Sequence, residues 1–245
     1  MTTAVIVAGG SGVRMGKDIP KQFIEVLGKP ILIYTLEGFE AHPLIDQIEV
    51  VCIEGWQERL WDYARQYGIH KLKWVIPGGE TVQESIRNGV FHLDGKVNEE
   101  DIIVIHDGIR PLVDASVLTD VIEKALRYGN AVSSLPYNEQ IFLADDAIST
   151  TRYIPRETLR RVMTPQAYTF SLLEQKYRQA FDRGVGIHGS HYTNTMMAEL
   201  GVRLYFAAGS DKNIKLTTAD DLAWFRAYLQ SIPRQNREGG PHESV

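Results

Sequence analysis

Cysteine is almost missing from this chain: Cys52 is the single one in 245 residues, which excludes an internal disulfide and any cysteine-clustered metal site. It lies in the apolar run Ile48–Ile53, where a thiol reads as a buried packing group rather than a nucleophile. There is no surplus of positive charge either. The 26 lysines and arginines face 31 aspartates and glutamates, a formal net charge of -5, so no general attraction to nucleic acid or anionic lipid is expected. No stretch approaches the ~18 apolar residues that span a bilayer. The segment Met1–Val7 has neither the basic flank nor the long apolar centre of a secretory signal. The expectation is a cytoplasmic protein with no nucleic-acid and no membrane partner. No internal repeat is present. At 44% hydrophobic and 23% charged residues the composition is ordinary for a globular protein, and the length suits one α/β core.

Short apolar runs alternate with amphipathic stretches. Ala4–Ala8, Ile48–Ile53, Leu72–Ile76 and Ile102–Ile105 are nearly apolar throughout, which predicts strands buried on both faces of a mostly parallel sheet. Ile31–Glu40, Trp56–Tyr67, Thr81–Leu93 and Ser116–Tyr128 carry apolar residues at helical spacing. Repeated βα units of this kind predict a three-layer α/β domain over residues 1–232, with a mostly parallel, Rossmann-like sheet. The rhythm breaks after Ala131–Leu135. Pro136 to Thr164 holds two short β candidates, Gln140–Leu143 and Thr151–Ile154, around the turn-like Ala144-Asp145-Asp146, and reads as a projecting hairpin. It is either a surface excursion or an arm for dimerisation or for covering a site. Helices follow at Phe170–Arg183 and Asn194–Leu200, then a strand at Val202–Ala207 and a closing helix at Ala219–Leu229, for which Thr218 and Asp221 form a capping box. The tail Pro233–Val245 is polar, with glycine and proline and no apolar stripe, and disorder is expected there.

The first strand runs into Gly9-Gly10-Ser11-Gly12, where small residues let backbone amides turn toward an anion. Spacing removes two familiar readings. A dinucleotide fingerprint would need its third glycine one position before Gly16, and a Walker loop would need glycine at Ser11 and a hydroxyl at Asp18. Glycines at a strand end can serve positive φ alone. Arg14 and Lys21 add two cations to the same segment, as a site for phosphoryl or nucleotidyl transfer requires: Arg14 can fork onto two phosphate oxygens, and Lys21 acts as a point charge.

A second constellation, His106-Asp107-Gly108-Ile109-Arg110-Pro111, also follows a buried strand. Ligands of open α/β sheets gather at the carboxyl ends of strands, so Asp107 and Gly10 should share an edge. Asp107 is either a Mg²⁺ partner near triphosphate oxygens or a turn and capping residue. His106 reads as a packed neighbour, since a phosphate nucleophile is already ionised and needs no base. Lys215, after the last strand, either reaches the same phosphates or is a surface lysine.

Taken in order, Ala8-Gly9-Gly10-x-Gly12-x-Arg14-Met15-Gly16, Pro20-Lys21-Gln22, His106-Asp107-x-x-Arg110-Pro111, Thr164-Pro165-Gln166 and Asn213-Ile214-Lys215-x-Thr217 span nearly the whole domain. The chain resembles the cytidylyltransferase family that contains methylerythritol-phosphate and ribitol-5-phosphate cytidylyltransferases. The resemblance implies transfer of CMP from CTP to a polyol phosphate with release of pyrophosphate, Mg²⁺ as cofactor, and a homodimer. It implies that Arg14 and Lys21 stabilise the transition state, and that Arg156 and Lys215 position the acceptor phosphate, the arginine on an arm that reaches a neighbouring subunit. Ala8, Gly9, Gly10, Gly12, Gly79 and Ser85 would hold the nucleotide, with Asp107 near its phosphates, and Thr164 and Asn194 would lie on the acceptor side.

Three segments depart from the family pattern. Val82 stands where an arginine is frequent, Thr193-Asn194 replaces Thr-Asp, and Tyr137-Asn138-Glu139-Gln140 replaces a stretch with Asp-Thr. Gly108-Ile109 and Gly55-Trp56 look more like the ribitol-phosphate branch, which serves wall or capsule precursors. Transfer to methylerythritol phosphate for isoprenoids, a sugar-1-phosphate nucleotidyltransferase, and a nucleotide-binding protein without turnover stay as alternatives.

Overall fold

The computed structural model describes residues 1–10, 19–188 and 192–232. In chain order the elements are β1 (Thr2–Ala8), the small ribbon β2 (Glu25–Val26) and β3 (Lys29–Pro30), α1 (Ile31–Glu40), β4 (Gln47–Cys52), α2 (Gln57–Gln66), β5 (Leu72–Pro77), α3 (Val82–His92), β6 (Ile102–Asp107), α4 (Ala115–Tyr128) and β7 (Asn130–Pro136). The arm strands β8 (Ile141–Leu143) and β9 (Arg152–Ile154) come next, then β10 (Arg160–Thr169), α5 (Phe170–Arg183), α6 (Thr193–Glu199), β11 (Phe206–Ala208) and α7 (Ala219–Ser231).

The main sheet runs β11-β7-β10-β6-β1-β4-β5. All neighbours are parallel except β10, which is antiparallel to both β6 and β7. Strand alternation sorts β1 onto two cores. Ala4, Ile6 and Ala8 face α1, α2 and α4 with Leu32, Leu36, Phe39, Leu60 and Leu118. Val5 faces the opposite side with Ile86, Val90, Leu173, Tyr177 and Met197, from α3, α5 and α6. Covering both faces explains why β1, β4 and β6 are nearly continuous apolar runs. The three-layer α/β reading therefore holds. Each large side chain fully buried in these layers contributes roughly 1.5–3 kcal/mol. A third, smaller cluster of Ile24, Val26, Ile31, Ile109, Leu216 and Phe225 binds α7 and the ribbon to the carboxyl edge of the sheet.

Four expectations change. β5 is an edge strand with β4 as its neighbour, so Lys73 and Pro77 are exposed and Trp74, Val75 and Ile76 only half-buried, rather than covered on both faces. The hairpin does not extend to Thr164: from Arg160 the chain is already in the central sheet as β10. Its paired arginines and Pro165 disguise a strand, and the proline is accommodated where the register against β7 shifts between Met163 and Gln166. The strand expected at Val202–Ala207 pairs only over Phe206–Ala208. The helix expected from Asn194 starts at Thr193 and ends at Glu199.

The arm itself is a β8–β9 ribbon whose turn is held by Asp145 accepting from Thr151 and Asp146 accepting from Ser149. It leaves Phe142, Leu143, Ile148 and Tyr153 exposed. The expected disorder of Pro233–Val245 lies outside the described residues. Among the described residues no helix is long and apolar enough to cross a membrane.

Thr218 caps α7 as its sequence signature indicates: its side chain accepts from the Asp221 amide while the Asp221 carboxylate accepts from the Thr218 amide. Thr218→Ala should lower stability by about 1 kcal/mol and Thr218→Ser should leave it nearly unchanged. The urea midpoints of the two variants check this.

Candidate active site

β1 ends at Ala8, and Gly9 and Gly10 carry the chain across the carboxyl edge of the sheet. Gly12 and Arg14, both expected to touch the nucleotide, lie outside the described residues. Gln22 is buried, and its Nε2 donates to the carbonyls of Ala8 (2.6 Å) and Gly10 (3.1 Å). Gln22 thus tethers the turn that carries Lys21 to the end of β1. Phe23 follows and stacks on Trp56 with ring centroids 4.5 Å apart, so Lys21 is set on a short helical turn braced from both directions.

Beside β1 a cleft of about 510 Å³ is lined by Gly9, Gly10, Gly78, Gly79, Thr81 and Ser85, with Val82 at its margin. The glycines are there for contact. A Cβ on Gly9 would meet Ser85 Oγ at 3.0 Å, and one on Gly79 would meet Glu84 Cβ at 2.4 Å, so two backbone segments close on each other at the rim of the cleft. Ser85 organises this wall: its hydroxyl accepts from the Gly79 amide (3.0 Å) and donates to the Thr81 carbonyl (2.9 Å). The Thr81–Glu84 capping box starts α3 at the same place. The structure therefore gathers Ala8, Gly9, Gly10, Gly79 and Ser85 at one edge. A cleft of this size, walled by glycine backbone and by the side chains of Glu54, Glu80, Thr81, Val82 and Ser85, suits a nucleoside read by shape and hydrogen bonds.

Next to β1 in register is β6, with Asp107 opposite Val7. Lys215 Nζ donates to Asp107 Oδ1 (3.0 Å), and Arg110 Nε donates to Oδ2 (2.8 Å). Burial alone pushes the Asp107 carboxyl upward, but the charges of Lys215 and then Arg110, with their hydrogen bonds, outweigh it and hold the pKa at about 2. One carboxylate between two cations leaves the trio net positive, which favours an anion. Arg110 Nη1 continues to the Asn213 carbonyl (2.7 Å), and Asn213 Nδ2 to the Thr164 carbonyl (2.7 Å). The Asp107 amide donates to Thr164 Oγ1 (3.1 Å). A smaller pocket of about 160 Å³ opens on this group, lined by Asp107, Arg110, Thr164, Tyr192, Asn194 and Thr195. Thr164 and Lys215 thus meet at Asp107, and Asn194 lines the same pocket.

His106 is fully buried, and its Nε2 donates to the Arg110 carbonyl (3.0 Å). Burial is the main cause that brings its pKa down to about 4, so the ring is neutral and shapes the turn, as expected of a packed neighbour. Arg156 is not brought to this group. It lies on the arm, 58% exposed, against Glu157 at 3.8 Å, and lines a separate cleft of about 490 Å³ with Phe142 and Tyr153. Among the described residues no group of three or more His, Cys, Asp or Glu side chains could hold a metal. Three residues were quoted in sequence motifs or near them without a role: Gln22, Arg110 and Tyr192. Only the position of the first two beside Lys21 and Asp107 could have signalled them.

The family model described as 2-C-methyl-D-erythritol 4-phosphate cytidylyltransferase (IspD) matches residues 2–231. Ribitol-5-phosphate cytidylyltransferase of Lacticaseibacillus paracasei is 60% identical over 230 residues, covering 94% of this chain and 98% of that protein. The 2-C-methyl-D-erythritol 4-phosphate cytidylyltransferase of Geotalea uraniireducens is 32% identical, covering 94% and 97%. The crystal structure of the Francisella tularensis 2-C-methyl-D-erythritol 4-phosphate cytidylyltransferase superposes with a TM-score of 0.76 at 25% identity, over 94% of this chain and 99% of that one.

If Lys215 is the main charge that keeps Asp107 ionised, Lys215→Met should raise the Asp107 pKa from about 2 toward the usual carboxylate value of about 4, read by carboxyl ¹³C NMR. The depressed folded-state value means its stabilisation is present above the unfolded pKa and lost as pH falls through the folded one. The wild-type stability profile should therefore fall between about pH 4 and pH 2, and the variant's profile should be flatter there.

Proposed function

The chain belongs to the 2-C-methyl-D-erythritol 4-phosphate cytidylyltransferase (IspD) family, and from that premise we propose that it transfers CMP from CTP to D-ribitol 5-phosphate, giving CDP-ribitol and pyrophosphate. The observation that carries this reading is the adjacency of two clefts on neighbouring strands. The larger, glycine-rich one at β1 accords with cytidine and ribose, and the smaller one at β6, with Asp107 and Arg110 on its wall and Lys215 bonded to Asp107, accords with a small phosphorylated polyol. The preference for ribitol over methylerythritol rests on the more similar relative and on Gly108. A Cβ at that position would lie 3.1 Å from the Val7 carbonyl oxygen and 3.0 Å from Leu32 Cδ1, so the alanine expected of the other branch is disfavoured by this packing.

The chemistry asks little of the protein beyond placement and charge. At neutral pH the acceptor phosphate is already largely ionised, its second pKa being about 6. It attacks the α-phosphorus of CTP in line, a new P–O bond forms, and the bond to the β-phosphate oxygen breaks, releasing pyrophosphate. No residue must take a proton, which accords with a neutral, buried His106. Lys21 and Arg14 would stabilise charge on the transferring and leaving phosphates, and Lys215 would draw the acceptor phosphate toward the α-phosphorus. Mg²⁺ would neutralise triphosphate charge. Asp107 is ionised, and with its two oxygens paired to Lys215 and Arg110 it would hold the ion through water, the phosphates supplying the direct oxygen ligands.

Arg156 enters through a second copy of the chain. The arm exposes four large apolar side chains, Phe142, Leu143, Ile148 and Tyr153, which supports a homodimer in which the arm carries Arg156 to the partner's acceptor pocket. A cytoplasmic enzyme supplying CDP-ribitol for wall or capsule polymers accords with this substrate.

Purified protein with CTP, Mg²⁺ and D-ribitol 5-phosphate should release pyrophosphate in proportion to acceptor consumed. Absence of release with ribitol, methylerythritol and glycerol phosphates alike would overturn the reading. Lys21→Ala should lower kcat by at least ~10²-fold with the fold intact by circular dichroism. Arg156→Ala should raise the KM for the acceptor more than that for CTP, and equal effects would remove it from the acceptor site.

A further inference from the structure

Under the two clefts lies a polar network with no place in the chemistry above. Gln83 on α3, Tyr177 on α5 and Thr193 at the start of α6 are all fully buried. The Tyr177 hydroxyl donates to Gln83 Oε1 (2.9 Å), so its oxygen accepts from the Thr193 hydroxyl, 2.7 Å away. Gln83 Nε2 donates to the carbonyls of Gly186 (2.9 Å) and Tyr192 (3.4 Å). Gly186 in turn presses on α6: a Cβ there would lie 2.7 Å from Met196 Cα.

The ends of this network are the walls of the two clefts. Gln83 stands in the first turn of α3, between Val82 and Ser85 of the larger cleft. Thr193 stands between Tyr192 and Asn194 of the smaller one, and the Tyr192 ring lies 5.6 Å from Lys215 Nζ. The surrounding contacts of α6, Met196 and Met197 on Leu173 and Tyr177, are apolar and adaptable, and would let a helix of this length turn or slide. Hydrogen bonds are directional and, in a buried and satisfied chain, expensive to break.

We infer that Gln83, Tyr177 and Thr193 form a positioning bridge that locks α6 and Tyr192, and through Tyr192 the ammonium of Lys215, to the nucleotide wall at α3, so that filling the nucleotide cleft organises the acceptor pocket. This rests on the assignment of the two clefts given above. None of the three residues lines either cleft. The coupling runs both ways, since an equilibrium effect of one ligand on another is reciprocal.

Thr193→Val removes the hydroxyl and keeps the shape, and Thr193→Ser restores it. The acceptor KM of Thr193→Val should rise about tenfold while the CTP KM and kcat move less than about threefold, and Thr193→Ser should lie near wild type. Tyr177→Phe, which deletes one oxygen, should show the same split and serves if the valine variant does not fold. A lowered urea midpoint with both KM values unchanged, or both raised alike, would reduce the network to a structural role and overturn the inference. A second readout needs no acceptor. CTP alone should slow amide hydrogen exchange across α6 in the wild type and not in Thr193→Val. If CTP leaves α6 exchange unchanged in the wild type, the bridge does not couple the clefts, whichever acceptor the enzyme uses. Slowed exchange that depends on Thr193, without turnover of any polyol phosphate, would keep the bridge and overturn the assigned reaction instead.

Discussion

Asp107 is a carboxylate at the end of a central strand with its side chain only 14% exposed, and the pairing of its two oxygens with Lys215 and Arg110 is the constraint on which the carboxyl edge of the sheet depends. An unpaired charge in such a place is costly enough that the group would neutralise or the segment would move. Its partners come from different parts of the chain. Arg110 belongs to the turn after β6, while Lys215 arrives on the segment between β11 and α7, and Asn213 on that segment also holds Thr164 in β10. One carboxylate therefore draws together three stretches that share no secondary structure. The small pocket is what remains between them.

The same electrostatics decide what the pocket can take. Two cations against one anion leave room for a phosphate, and a carboxylate held at about pKa 2 stays charged under any condition in which the protein would work. The neighbouring cleft is different in kind. Gly9, Gly78 and Gly79 close against Ser85 and Glu84, and the cleft is lined by glycine backbone with Glu54, Glu80, Thr81 and Val82, and no lysine or arginine lines it among the described residues. In the proposed reaction, shape and hydrogen bonding would serve the nucleoside, and charge would serve the acceptor phosphate. The division follows from which residues each strand end delivers.

Much of this was legible in the sequence because local rules and global fold agree there. β1, β4 and β6 are apolar on both faces because helices cover both faces, and Thr218 with Asp221 announces α7. β10 was hidden, since its sequence opens with Arg160-Arg161 and contains Pro165, and only tertiary pairing between β6 and β7 makes it a strand. Lys215 could be read as a surface lysine until its ion pair with Asp107 was seen. Gln22 and Gln83 carried no signal of their own: each acts by hydrogen bonds to backbone or buried groups far away in the chain, which no spacing rule reveals. Arg156 cannot be placed against Asp107 within one chain, because the arm that holds it projects from the sheet and lines its own cleft.

Family membership and the cradle at β1 bear on cytidylyl transfer itself, whereas the identity of the acceptor turns on a few side chains around Asp107 and on the packing at Gly108. The measurement that tests this choice most directly is a one-pot competition: equimolar D-ribitol 5-phosphate and 2-C-methyl-D-erythritol 4-phosphate, limiting CTP, and the two CDP-polyols quantified by mass spectrometry. CDP-ribitol should account for nearly all the product. A predominance of the methylerythritol product would contradict the assignment.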